Sequence, residues 1–142
     1  MKIIYDNDGT LAQVIPAPKF LAQLTGTVEE KLIHIANKDL PTGTKYEITN
    51  ADLSDRTFRN AWEKDEKVIK TNMTKAKDMT KDRLRVERKP LLEAQDILFN
   101  KALETGASTT AIVTEKNRLR DITNQVDSMN TVAKLKKAKV TK

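Results

Sequence analysis

Cysteine is absent from this chain of 142 residues, and histidine occurs once, as His34. Disulfide frameworks, zinc–thiolate sites and thiol nucleophiles are therefore excluded, and so is a cluster of histidine metal ligands. A Ser-His-Asp triad would depend on His34 alone, and its place in a segment with helical spacing favours a structural role. No apolar run approaches the ~20 residues of a membrane span, and the first residues lack a signal-peptide core. We therefore predict a soluble chain made in the cytoplasm, without a cofactor, a metal or a membrane partner.

Aromatic residues are also scarce, at 4% of the chain. Phe58 and Trp62 stand four positions apart, a spacing that places side chains on one helix face. We predict that this pair, together with Tyr46, forms the core junction between an amino-terminal sheet and carboxy-terminal helices. Arg56 and Arg59 would point elsewhere and bind a partner chain.

Charge is unevenly distributed around a net value of +6. Residues 64–90 hold ten Lys/Arg against five Asp/Glu, and residues 129–142 hold five Lys and no acid. Such blocks attract nucleic acid, acidic protein surfaces or anionic lipid, and solvated helix faces have the same composition, so the charge does not select a partner. The residues of the middle block predicted to bind a partner are Arg83, Arg85, Arg88 and Lys89.

The first half of the chain predicts a small α+β domain, residues 1–70, of antiparallel ββαβ type. Two strand-like segments flank the turn residues 6–9, and Thr27 with Glu30 forms a capping box before a helix that ends near residue 37. A shorter helix precedes that box at 19–24, and residues 45–49 alternate as a strand. We predict a charged turn at 63–66 and an edge strand at 67–70.

The opening turn contains a second pattern. Ile4-Tyr5-Asp6-Asn7-Asp8-Gly9-Thr10-Leu11 resembles the first motif of haloacid-dehalogenase-like phosphatases. The resemblance implies that Asp6 is a nucleophile and Asp8 an acid/base, with Mg²⁺ between them. That family also needs a later Gly-Asp stretch, and no glycine of this chain precedes an Asp. A calcium loop would need a later bidentate Glu and flanking helices. A turn is the favoured interpretation.

The second half predicts a helical hairpin over residues 71–128. Leu84, Leu91 and Leu98 have heptad spacing in a helix from Met73 to about residue 103, and Pro90 predicts a kink or break near Arg88 or Lys89. A returning helix is expected at 109–124, although Lys116 occupies one of its inner positions. The last segment, 129–142, is predicted to be a basic tail that is disordered until bound.

Several stretches together resemble small uncharacterised proteins from the tail or fibre region of tailed bacteriophages and prophages. The stretches that carry this resemblance are Ile35-Ala36-Asn37-Lys38-Asp39-Leu40-Pro41, Gly43, Tyr46-Glu47-Ile48, Asp55-Arg56-Thr57-Phe58-Arg59-Asn60-Ala61-Trp62, Arg83-Leu84-Arg85, Pro90-Leu91-Leu92 and Arg118-Leu119-Arg120-Asp121-Ile122. The later stretches are also similar to the helical carboxy-terminal segments of tail-fibre assembly proteins. The resemblance implies a place in a virion and brings no catalytic residues.

The resulting hypothesis is a non-enzymatic structural or adaptor protein of a phage tail or fibre, located in the virion. It would act as a homo-oligomer that contacts other virion proteins. Two alternatives stay open, a transient tail-fibre assembly chaperone and a basic nucleic-acid-binding module. The nucleic-acid alternative is less favoured because the basic stretches lack aromatic residues for base stacking.

Overall fold

The computed structural model describes residues 1–65 and 68–141 and shows an α+β protein with antiparallel strands followed by a helical region. The chain divides into two compact units, Met1–Asn72 and Met73–Lys142. The boundary lies two residues beyond the end of the predicted 1–70 domain. The second unit includes the predicted helical segment, 71–128, except for its first two residues, together with the predicted tail, 129–142.

The first unit contains a three-stranded antiparallel sheet with strand order β2-β1-β3. The elements that build it are β1 (Lys2–Asn7), β2 (Thr10–Val14), α1 (Pro18–Gln23), α2 (Val28–Asp39) and β3 (Tyr46–Thr49). Asp8 and Gly9 both have positive φ, 53° and 76°, and the Gly9 N–H donates to Asp6 Oδ1 at 2.7 Å. This is the tight turn that the spacing predicts, and it uses the Asp6 carboxylate as a turn acceptor.

Both faces of this sheet are covered, because consecutive residues of a strand point to opposite faces. Ile3 faces α2, where its cluster contains Leu32, Ile35 and Ala36, with Tyr46 and Ile48 of β3 packed against it. Ile4 faces the other way and packs with Leu11, Leu53 and Trp62, while Ile69 lies against that cluster. Ile3 and Ile4 are both fully buried, so β1 is the centre of the unit.

The predicted helix at Phe58–Trp62 is wrong. Arg59–Ala61 is a single 3₁₀ turn, and Trp62 begins a strand, β4 (Trp62–Asp65), which pairs with β5 (Val68–Thr71) as a separate antiparallel ribbon. The Asn72 N–H donates to the Ala61 carbonyl at 2.7 Å, so pairing with a later segment satisfies this backbone in place of a helical turn. The predicted charged turn at 63–66 is therefore a strand up to residue 65. Residues 66 and 67, within the predicted turn and edge strand, lie outside the described residues.

The second unit consists of helices. Its elements are α3 (Met73–Thr105), α4 (Thr110–Asp121), a 3₁₀ turn at Ile122–Val126 and α5 (Val132–Lys137). The sequence predicts a kink or a break near Arg88 or Lys89, and the break is absent because α3 continues through Pro90. The proline deprives the Val86 carbonyl of its helical partner, but both residues are exposed, and water can hydrogen-bond to that carbonyl.

The expected disordered tail also differs from the structure. Residues 129–141 include α5, and Leu135, Ala138 and Val140 are almost completely buried. These apolar residues join Leu84, Leu119 and Val126 in the interior of the unit. The lysines between them are exposed, which explains why the segment has the composition of a solvated tail.

In the first unit, the side chain of His34 is exposed on α2, so it does not contribute to the buried core.

Candidate interaction surface

The predicted junction residues occupy two different places in the first unit. Phe58 and Trp62 are buried, with 5% and 7% of their surface exposed, and Trp62 lies on the Ile4 face of the sheet. Tyr46 is half-buried on the opposite face, against the α2 cluster. Arg56 is exposed and Arg59 half-buried beside Phe58. The sheet therefore separates Tyr46 from Trp62, and the three aromatic residues do not form one cluster.

Arg83, predicted to bind a partner, is engaged inside its own unit. Its Nη2 donates to the carbonyls of Leu135 and Ala138 at 3.2 and 2.8 Å, and its Nη1 pairs with Glu87 at 2.9 Å. Both carbonyls lie at the carboxy-terminal end of α5, where helices lack backbone donors and carry partial negative charge. Arg83 therefore acts as a cap for α5.

Arg88 has the same role at the end of α4. Its Nη1 donates to the carbonyls of Leu119 and Arg120, the second at 2.5 Å, directly before the helix ends at Asp121. Two of the four basic residues predicted on α3 thus fix the ends of neighbouring helices. A partner would have to break these bonds to use the same guanidinium nitrogens.

A third arginine, Arg118, joins α4 to the last described residues. Its Nη1 donates to the Val140 carbonyl at 3.0 Å, and two further bonds of 2.8 and 2.6 Å reach the Glu115 carboxylate. The hydrogen bonds with Glu115 raise the pKa of Arg118 above its usual value, so the group stays charged. Sequence reasoning missed this residue, although its spacing of three from Glu115 on a helix indicates an ion pair.

The two remaining predicted residues, Arg85 and Lys89, are exposed. Arg85 pairs with Asp82 at 2.6 Å. Together with Arg88 they line an open depression of about 340 Å³ that also contains Leu92, Glu93 and Asp96. The structure therefore brings three predicted residues together, on a surface of mixed rather than purely positive charge.

Lys116, the charged residue at an inner position of α4, is held by α3. Its Nζ lies 2.5 Å from Asp96 Oδ1 and 4.9 Å from the centre of the Phe99 ring. The ion pair and the cation–π contact allow this amine to be largely covered while it remains charged. These contacts with α3 explain why a lysine can occupy an inner position of α4.

An apolar face of α3 is left uncovered. We call it the apolar stripe, and its members are Val86, Pro90, Leu91, Ala94, Ile97 and Leu98. Their spacing of three and four positions places them along one side of the helix. The exposed fractions of Val86, Ile97 and Leu98 are 73%, 58% and 47%. Contiguous exposed apolar surface of this kind is typical of protein–protein contact sites.

The heptad row that sequence reasoning identified divides between this stripe and the interior. Leu84 is fully buried, whereas Leu91 and Leu98 are 38% and 47% exposed. A straight α-helix drifts by about 20° per heptad, so a seven-residue row rotates gradually out of a packed face. The spacing therefore predicted an apolar row but not which of its members are covered.

Comparisons with family models, with characterised proteins and with solved structures find no match for this chain. Within the described ranges, none of the helices combines the length and the apolar character that crossing a membrane requires. The described residues likewise bring no three His, Asp or Glu side chains together in an arrangement that could hold a metal ion. The apolar stripe on α3 is therefore the candidate interaction surface of the second unit.

Proposed function

We propose that this protein is a structural or adaptor protein of a bacteriophage virion, in the tail or tail-fibre attachment region. It acts by oligomeric protein–protein assembly and not by catalysis. The observation that carries the proposal is the apolar stripe on α3, since exposed apolar surface beside charged residues is a common form of assembly interface. The resemblance of residues 28–126 to phage tail and fibre proteins supplies the context.

The two units have different parts in this proposal. The first is a ββαβ-type unit that serves as a rigid frame, supported by the covering of both sheet faces. The second works as a helical hairpin of α3 and α4, supported by the Asp96–Lys116 ion pair near the middle of α4 and the Arg88 contacts at its carboxy-terminal end. The hairpin presents the apolar stripe to other subunits.

Quantitative mass spectrometry of purified virions, normalised to the major capsid and tail proteins, tests the placement. A structural component is expected at a fixed copy number in multiples of three or six, because a closed symmetric assembly contains each subunit a fixed number of times. Absence from the virion, despite expression in infected cells, would contradict the proposal. That result would favour a transient assembly chaperone, which uses the same surface and then leaves the particle.

A nucleic-acid-binding module is the second candidate, and one surface favours it. Lys134, Lys137 and Lys139 line an open depression of about 500 Å³ in the second unit. If this surface binds phosphates, the affinity for DNA should fall steeply with salt, with a log–log slope that changes by about one for each lysine replaced by Gln. Binding that is absent or independent of salt would end this alternative.

A further inference from the structure

We infer that the apolar stripe is the contact between two copies of this chain, whose α3 helices pack antiparallel and meet at Ala94. The inference rests on the proposed assembly function and names the partner at that site. A second copy is the occupant because the apolar and charged positions of this surface are complementary to themselves. A two-fold axis requires such self-complementarity.

The residues on either side of Ala94 match in pairs. In an antiparallel pair centred on Ala94, Leu91 of one copy meets Leu98 of the other, and Pro90 meets Ile97. At 100° per residue, Leu91 and Leu98 lie about 60° and 40° to one side of Ala94, whereas Pro90 and Ile97 lie about 40° and 60° to the other side. The two-fold axis runs perpendicular to both helices, so it reverses the helix direction but leaves each residue on its own side of the contact. All four side chains are apolar and exposed. The small Ala94 at the centre allows the helices to approach closely.

The charges at the two ends of the stripe match as well. Glu87 and Lys101 each lie seven residues from Ala94, about 10 Å along the helix axis and near the middle of the same face. Both are exposed, and Arg83 fixes the Glu87 carboxylate through Oε1 at 2.9 Å. In the antiparallel pair, Glu87 of each copy faces Lys101 of the other. A parallel pair would place like charges opposite each other at both ends, which disfavours that arrangement.

Charge reversal in the full-length protein tests this register. Lys101→Glu places two carboxylates opposite each other twice per dimer, so we expect the dissociation constant in sedimentation equilibrium to rise by about tenfold or more. Glu87→Lys combined with Lys101→Glu restores opposite charges and should bring the constant back to within about threefold of the unmodified chain. A monomeric unmodified chain at about 0.1 mM, or a double variant no better than the single one, would overturn the inference.

Disulfide trapping tests the direction of the helices, since the chain has no cysteine of its own. A mixture of the Glu87→Cys and Lys101→Cys chains should form the mixed disulfide in preference to either homodimer, because only the antiparallel pair places these positions together. Leu103→Cys is the matched control on the same helix, since Leu103 is 60% exposed but lies off the stripe. Dominant Glu87→Cys homodimers, or equal trapping through position 103, would overturn the arrangement.

The dimer and the proposed function fail in different ways. A monomer that is nevertheless present in virions at a fixed copy number would overturn the dimer and leave the virion role intact. A dimer with the predicted disulfide, in a protein absent from virions, would support the contact and overturn the placement.

Discussion

The two units satisfy the ends of their helices in different ways. In the first unit, Thr27 and Glu30 form a capping box, in which the Glu30 N–H donates to Thr27 Oγ1 and the Thr27 N–H donates to Glu30 Oε2. In the second unit, Arg83 and Arg88 bind the carbonyls at the ends of α5 and α4 from 31 to 55 positions away. The start of α2 is therefore defined by its own residues, whereas the carboxy-terminal ends of α4 and α5 depend on a neighbouring helix.

The units also differ in where their exposed apolar residues lie. The first unit buries both faces of its central strand, and its exposed apolar residues, such as Ile15 and Val28, belong to different segments. The second buries Leu84, Leu119 and Leu135 but leaves the apolar stripe exposed. Because the net stability of a domain is a small difference between large terms, a unit with an incomplete core gains most from a further partner. The interaction surface is therefore expected in the second unit.

The largest effect is expected from the core of the first unit. Trp62→Ala removes a buried side chain that packs on Ile4, Leu11 and Leu53, and should lower the free energy of unfolding by about 3–5 kcal/mol. Urea unfolding measures the loss of stability, and amide hydrogen exchange of the β1 residues measures it locally. Ile15→Ala is the control, since Ile15 is 66% exposed, and should change little. Equal losses in both variants would contradict the packing described for Trp62.

In the second unit, the largest loss of stability is expected from a substitution at Arg83. Arg83→Met keeps the apolar stem but leaves the Leu135 and Ala138 carbonyls without their charged donor, which should cost about 1–3 kcal/mol. Amide exchange of α5 should accelerate more than exchange elsewhere in the unit. Arg85→Met is the matched control, because Arg85 makes an exposed ion pair with Asp82 that is worth about 0–1 kcal/mol. Similar losses in the two variants would mean that Arg83 is not a cap.

Local signals were sufficient for part of this structure. The capping box at Thr27 and the turn at Asp8-Gly9 involve residues at most three positions apart, so their spacing alone predicted them. The spacing of Phe58 and Trp62 is equally regular, yet it falls across a 3₁₀ turn and a strand. Pairing with Val68–Thr71 decides that segment, and no local pattern records such a pairing.

The candidate surface was harder to predict for a related reason. A guanidinium group can bind a carboxylate, a phosphate or any uncovered carbonyl, so composition alone does not distinguish a partner-binding arginine from an internal cap. Arg83 and Arg88 were therefore predicted to bind partners, and the structure occupies both with backbone carbonyls of their own unit. The prediction of a disordered basic tail was wrong for a similar reason. The lysines dominate the composition of this segment, although Leu135 and Val140 between them are buried.

A smaller effect is expected at the local cap of the first unit. Thr27→Ala removes the hydroxyl that accepts from the Glu30 N–H and should lower the stability by about 0.5–2 kcal/mol. Thr27→Ser retains the hydroxyl and is the control, so it should lose at most a few tenths of a kcal/mol. Denaturant unfolding by circular dichroism compares the two. Equal loss in the serine variant would show that the methyl group, and not the cap, stabilises α2.

The smallest effect concerns pH and a surface contact of the second unit. Hydrogen bonding and charge from Lys81, 2.7 Å away, lower the pKa of Asp127 below its ordinary value of 3.8. Because the folded-state pKa is the lower one, the carboxylate adds stability that is complete well above pH 3.8 and is lost as the pH falls through the folded-state pKa. Asp127 is exposed, so the contribution is small and sensitive to salt. Denaturant unfolding at low ionic strength, from about pH 6 to about pH 2, should show a shallower acid loss for Asp127→Asn than for the unmodified chain. Parallel pH profiles would show that the contact with Lys81 does not stabilise the second unit.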